Sequence, residues 1–147
     1  MPVAELVLVA PMIPKPGETA GQWWTATGHE RAIAPLIQRI GPMRAWGQEQ
    51  MAEVFLHDVP ADIADAAQDF VGEPGPGMFG EPWPLPAWPA VPTRVLAPRD
   101  DHLFPSLFSA ASPGSGSTLV VEELPGGHVP MLARSRELAA RLAGAVT

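Results

Sequence analysis

The 147-residue sequence predicts an α/β protein built on a small parallel sheet with chemistry at the carboxyl ends of its strands. Three observations predict it. Short apolar, β-branched runs alternate with stretches of helical periodicity. A segment dense in proline and glycine closes off a long helical block between the first two runs. Two polar constellations stand directly after the second and third runs, where α/β sheets place their sites.

Leu6-Val7-Leu8-Val9 is the first run. It ends at Ala10-Pro11 and reads as a buried strand of a parallel sheet. A loop follows over Ile13–Glu18. From about Thr27 to Ile40 the pattern turns helical, with Ile33, Leu36, Ile37 and Ile40 on one face. Thr27 and Glu30 have capping-box spacing, and Pro35 implies a kink or a helix start nearby. Met43 to Leu56 reads as helical. Pro60 to Val71 reads as a further helix with Ile63, Ala67, Phe70 and Val71 on one face and Asp58 placed to cap it.

Many of the 19 prolines lie between Pro74 and Pro92, beside Trp83 and Trp88, which predicts an extended surface loop. Thr93-Arg94-Val95-Leu96-Ala97 is the second strand, and Thr118-Leu119-Val120-Val121-Glu122 is the third. Between them, Leu103 to Ala111 is expected to be helical, with Ser112–Ser117 as a linker. An amphipathic helix from about Ser135 to Val146, with Leu138, Ala139, Leu142 and Val146 on its apolar face, closes the chain. Strand–helix alternation implies right-handed crossovers and a parallel sheet. The Leu6–Val9 strand is left with an open edge unless another copy or a further segment covers it.

Composition narrows the function. An apolar fraction of 46% fits a globular domain. A net charge of −7 repels phosphate backbones and anionic bilayers, so neither nucleic acid nor membrane is an expected partner. No stretch approaches the roughly 18 apolar residues of a membrane helix. Met1–Ala10 lacks a positive n-region and contains Glu5, unlike a signal peptide. Cysteine is absent, which excludes disulfides and thiolate chemistry and fits a cytoplasmic protein.

The first constellation is Pro98-Arg99-Asp100-Asp101-His102-Leu103-Phe104-Pro105; the second is Pro125-Gly126-Gly127-His128-Val129-Pro130-Met131. A carboxylate and a histidine on successive strand-end loops suit the orienting pair of a nucleophilic triad, the acid fixing the imidazole tautomer and stabilising the imidazolium. Gly126 and Gly127 allow the histidine loop a sharp turn. His57-Asp58 and Asp100-Asp101-His102 lack a third ligand at fixed spacing, so no metal and no cofactor are expected. The tryptophans Trp23, Trp24, Trp46, Trp83 and Trp88 are expected to pack the helical block onto the sheet, with Trp83 and Trp88 also suited to anchoring a partner.

These stretches, with Leu6–Glu18, Phe55-Leu56-His57-Asp58-Val59-Pro60 and Val91–Pro105, resemble the C-terminal part of the α/β-hydrolases. The Phe55–Pro60 phrase and Gly126-Gly127-His128-Val129-Pro130-Met131-Leu132 resemble their methylesterase and hydroxynitrile-lyase branch in particular. The resemblance implies a partial α/β-hydrolase fold in one domain: a core strand and loop over 1–17, a helical lid and proline-rich loop over 18–90, and a C-terminal core over 91–147. It implies Asp101 as triad acid, with Asp100 as the alternative, and His128 as triad base. Pro98 departs from the usual glycine three residues before the acid. Val129 stands where the lyases carry lysine, which favours ester hydrolysis.

The family's nucleophile lies in a Gly-x-Ser-x-Gly elbow, and these residues contain none. Gly114-Ser115-Gly116-Ser117 has the wrong spacing; Ser106, Ser109 and Thr93 sit on no elbow. The resemblance implies that elbow and oxyanion loop belong upstream of Leu6. The expectation is therefore a split or truncated serine hydrolase of small carboxylic esters, inactive alone. Its partners would be the ester, a nucleophile-bearing N-terminal half or a second copy over the open edge. The other reading is a non-catalytic interaction domain in which Asp101 and His128 are relics.

Overall fold

The computed structural model describes residues 2–68, 75, 77–105 and 119–144, with backbone only at Gln68 and Leu119. The elements run β1 (Leu6–Val9), α1 (Ala20–Thr27), α2 (His29–Ala32), α3 (Ala34–Ile40), a 3₁₀ turn (Met43–Ala45), α4 (Gln48–Phe55), α5 (Ala61–Gln68), β2 (Thr93–Pro98), β3 (Leu119–Leu124), α6 (Pro130–Ala133) and α7 (Ser135–Ala143). The three strands form one parallel sheet in the order β1-β2-β3. Val9 lies opposite Leu96, and Leu96 opposite Glu122. β2 is central and four of its last residues, Val95 to Pro98, are buried, whereas β1 is half-buried throughout. The expectation that β1 is a buried strand is thus corrected. It has a neighbour on one side only among the described residues.

Side-chain parity divides the sheet into two faces. Val7, Val9, Leu96 and Leu124 share one, and Leu138 of α7 packs onto it. Arg94 and Glu122 stand on the same face. Arg94 Nη1 donates to Glu122 at 3.1 Å and Nη2 to the Arg141 carbonyl of α7 at 2.9 Å. A second core lies between the helical block and the loop after β2. It is formed by Trp23, Leu36, Val54, Leu103 and Phe104, with Met12, Trp24, Ile40, Met43, Trp46 and Phe55 packed around it.

The helical block is cut differently from the periodicity. Gly28 at φ +74° ends α1 in the left-handed conformation that glycine adopts without strain, so Thr27 closes a helix. The Thr27 hydroxyl donates back to the Trp23 carbonyl at 2.8 Å and caps nothing. The capping box is Thr19–Gln22 instead, with Gln22 N–H to Thr19 Oγ1 at 3.1 Å and Thr19 N–H to Gln22 Oε1 at 2.8 Å. α3 starts at Ala34 with Pro35 in its first turn, where a missing N–H costs nothing. The Met43–Leu56 stretch is a 3₁₀ turn followed by α4.

α5 follows Pro60 as expected, but Asp58 is not its cap: its carboxylate is turned to Gly127. Leu103 to Pro105 forms bends and irregular backbone rather than the start of a helix. The rest of that expected helix and the Ser112–Ser117 linker lie outside the described residues. Within the proline-rich stretch, Trp83 and Trp88 stack on each other, with centroids 4.4 Å apart, and Trp88 Nε1–H donates to the Pro14 carbonyl. Among the described residues no helix is long and apolar enough to cross a membrane.

Candidate active site

β2 and β3 lie side by side, and each ends in a loop on the same edge of the sheet. Arg99 N–H donates to the Leu124 carbonyl and Asp100 N–H to the Gly126 carbonyl, which continues the β2–β3 pairing beyond the strands. Asp101, the next residue on one loop, and His128, two beyond Gly126 on the other, are thereby brought into reach. Asp101 Oδ2 lies 2.8 Å from His128 Nδ1. Asp101 Oδ1 accepts from the Leu103 N–H at 2.8 Å and the Phe104 N–H at 2.9 Å. The Asp101 side chain is fully buried; that of His128 is 17% exposed.

A carboxylate only accepts, so the proton of the pair sits on Nδ1 and the Nε2 lone pair is left open. No hydrogen-bond partner meets Nε2 among the described residues. Phe55 meets the His128 ring edge-on at 5.0 Å and Phe104 lies tilted against it at 5.4 Å, so two apolar side chains pack against the imidazole.

Asp100 is placed differently. It is exposed, pairs with Arg99 at 3.1 Å and accepts from the Gly126 N–H at 3.1 Å. The bond to Arg99 holds its carboxyl below the usual carboxylate range. Asp101, not Asp100, meets His128.

His29, which sequence reading passed over, is the buried group beneath the acid loop. Its Nε2–H donates to the Leu103 carbonyl at 2.8 Å, and its ring stacks on Trp24. Burial pushes its pKa below the ordinary 6.5. Leu103 is therefore held at both ends of its backbone, by Asp101 and by His29. No sequence signal marks this, because the contact spans 74 positions.

His57 and Asp58 form the other unread contact. Asp58 Oδ2 accepts from the Gly127 N–H at 2.8 Å, and His57 stacks on His102 with centroids 3.8 Å apart. His102 Nδ1 faces the Glu53 carbonyl at 3.1 Å. No group of three or more metal-ligating side chains occurs among the described residues.

Thr93 is buried at the opposite end of β2 from Asp101, and its hydroxyl donates to the Val91 carbonyl. Ser106, Ser109 and Gly114–Ser117 lie outside the described residues. Two open depressions of about 810 and 660 Å³ include neither Asp101 nor His128.

Three parallel strands with flanking helices form a partial α/β-hydrolase fold, and the acid and the histidine lie on adjacent carboxyl-end loops of its sheet. Residues 1–141 match the Alpha/beta hydrolase family, and the chain belongs to that family. Among solved structures it is similar to a polyneuridine aldehyde esterase mutant, with TM-score 0.69, 17% identity, and 98% of this chain covering 62% of that one. It is also similar to a pyrethroid hydrolase from Sphingobium faniae JZ-2, with TM-score 0.59, 19% identity, and 96% of this chain covering 60% of that one. The chain thus spans about three fifths of the length of these structures. No curated protein matches it.

Proposed function

We propose that this chain carries the acid–base part of a serine-hydrolase triad that acts on small carboxylic esters once a nucleophile-bearing segment is joined to it. The observation that carries this reading is the Asp101–His128 hydrogen bond, with the second Asp101 oxygen held by two backbone amides. The similarity to an esterase and to a pyrethroid hydrolase supports an ester as substrate.

In the proposed reaction His128 Nε2 takes the proton of the serine hydroxyl as its oxygen attacks the ester carbonyl. Asp101 keeps the ring in the required tautomer and stabilises the imidazolium. The imidazolium returns the proton to the departing alcohol, and water, deprotonated in the same way, releases the acid from the acyl-serine. Residues 18–90 form the lid of that site in this reading. With no Gly-x-Ser-x-Gly among the 147 residues, the chain alone is inactive.

The test is complementation. The chain is co-expressed with a segment encoding strand, Gly-x-Ser-x-Gly elbow and helix, and assayed on p-nitrophenyl acetate. Esterase activity is expected in the pair and not in either part. His128→Ala should lower kcat by about 10⁶-fold. Activity indifferent to His128→Ala would sink the reading. A non-catalytic interaction domain would then be favoured, a reading supported by the absent elbow and the open β1 edge.

A further inference from the structure

Three consecutive residues of the histidine loop are each held by a different aspartate. Gly126 N–H donates to Asp100, Gly127 N–H to Asp58, and His128 Nδ1–H to Asp101. Asp100 and Asp101 belong to the neighbouring loop after β2. Asp58 does not; it arrives from the turn between α4 and α5, in the inserted helical block.

The fit around Asp58 is close. A Cβ on Gly127 would lie 2.7 Å from Asp58 Oδ1 and 2.6 Å from His57 Nε2. A Cβ on Gly126, which sits at φ +102°, would lie 2.8 Å from Asp58 Oδ2 and 2.6 Å from Arg134 Nε. The two glycines are thus required by the approach of the 57–58 turn as well as by the backbone of their own loop. Asp58 Oδ1 is buried and has no hydrogen-bond partner among the described residues, while Oδ2 holds Gly127.

We propose that Asp58 is a positioning residue for His128: it fixes the backbone immediately before the imidazole and so sets the angle at which Nδ1 meets Asp101. His57, stacked on His102 of the acid loop, holds the same turn against the other member of the pair. The inserted block therefore registers the histidine loop against the acid loop. This inference rests on the Asp101–His128 pair being the working pair of the site.

The experiment reads the His128 ring in the intact chain by ¹H–¹⁵N NMR. The wild type is expected to give a low-field Nδ1 proton that Asp101→Asn removes. Asp58→Ala is expected to remove or split that signal. Asp58→Asn, whose amide oxygen still accepts from the Gly127 N–H, is expected to restore it. An unchanged signal in a folded Asp58→Ala chain, with only the melting temperature lowered, would overturn the positioning role while leaving the pair intact. A wild-type chain without the low-field proton would overturn the pair itself, and the positioning role with it. Should Asp58→Ala fail to fold, Asp58→Glu displaces the carboxylate by one methylene; an unchanged His128 signal there overturns the proposal.

Discussion

Asp101 divides its two oxygens between backbone and imidazole, and that division sets what each substitution does. In Asp101→Asn, the amide oxygen can keep the Leu103 and Phe104 amide protons, and the NH₂ then faces His128 Nδ1. A donor in that place demands an acceptor on the ring, so the proton moves to Nε2. The ¹⁵N shifts of His128 should exchange their protonated and unprotonated values, with little change in melting temperature. Identical ring shifts in both chains would contradict the hydrogen-bond geometry.

His29 gives a pH dependence with a definite sign. Its folded pKa is lowered by burial, so below about 6.5 the unfolded chain binds a proton that the folded chain resists. Its stabilising contribution is present above that pH and is lost as pH falls through and below it. Urea midpoints should drop between pH 7 and 5, and His29→Gln, which can still donate to the Leu103 carbonyl, should flatten that drop. Asp101 and His128 were legible because each follows a strand and carries a chemically distinctive side chain. The contacts of His29 and Asp58 were not, because their partners are backbone groups far away in sequence, and a backbone group leaves no mark on the residue that bears it; nor was the stack of His57 on His102, whose members lie in separate segments of the chain.

Among the elements, the strands were the most legible. Their β-branched runs carry an intrinsic preference and a sharp end at proline or a polar turn. The helical block was less so, because a single glycine decides its boundaries. With Gly28 in the left-handed region, Thr19 becomes the cap and Thr27 the last residue of α1, although both precede a plausible partner three positions on. Thr19→Ala should therefore cost about 1 kcal/mol in a urea melt, whereas Thr27→Ala should cost less, having no cap to lose. The short α6 after His128 was missed altogether; four residues are too few for a periodicity to register.

For the whole molecule, the open side of β1 governs behaviour. Leu6 N–H donates to the Pro92 carbonyl and Ala10 N–H to that of Leu96, so alternation turns the backbone of Val7 and Val9 outward. Among the described residues nothing pairs with this side of the apolar strand, and the chain alone is expected to self-associate through it. Val7→Pro removes an outward donor without removing a β1–β2 bond. Sedimentation velocity should show its distribution shifted toward monomer. A wild-type chain that sediments as a single monomer at high concentration would count against this.

β2 lies between its two neighbours, and both site loops leave from β2 and β3. Opening of the sheet that begins at the half-buried strand can thus proceed as far as the β1–β2 ladder without disturbing Asp101 or His128. In hydrogen exchange the Leu6 and Leu8 amides would then lose protection well before those of the β2–β3 ladder. The histidine ring would stay seated through that opening, with fraying confined to the side of the sheet that carries no chemistry.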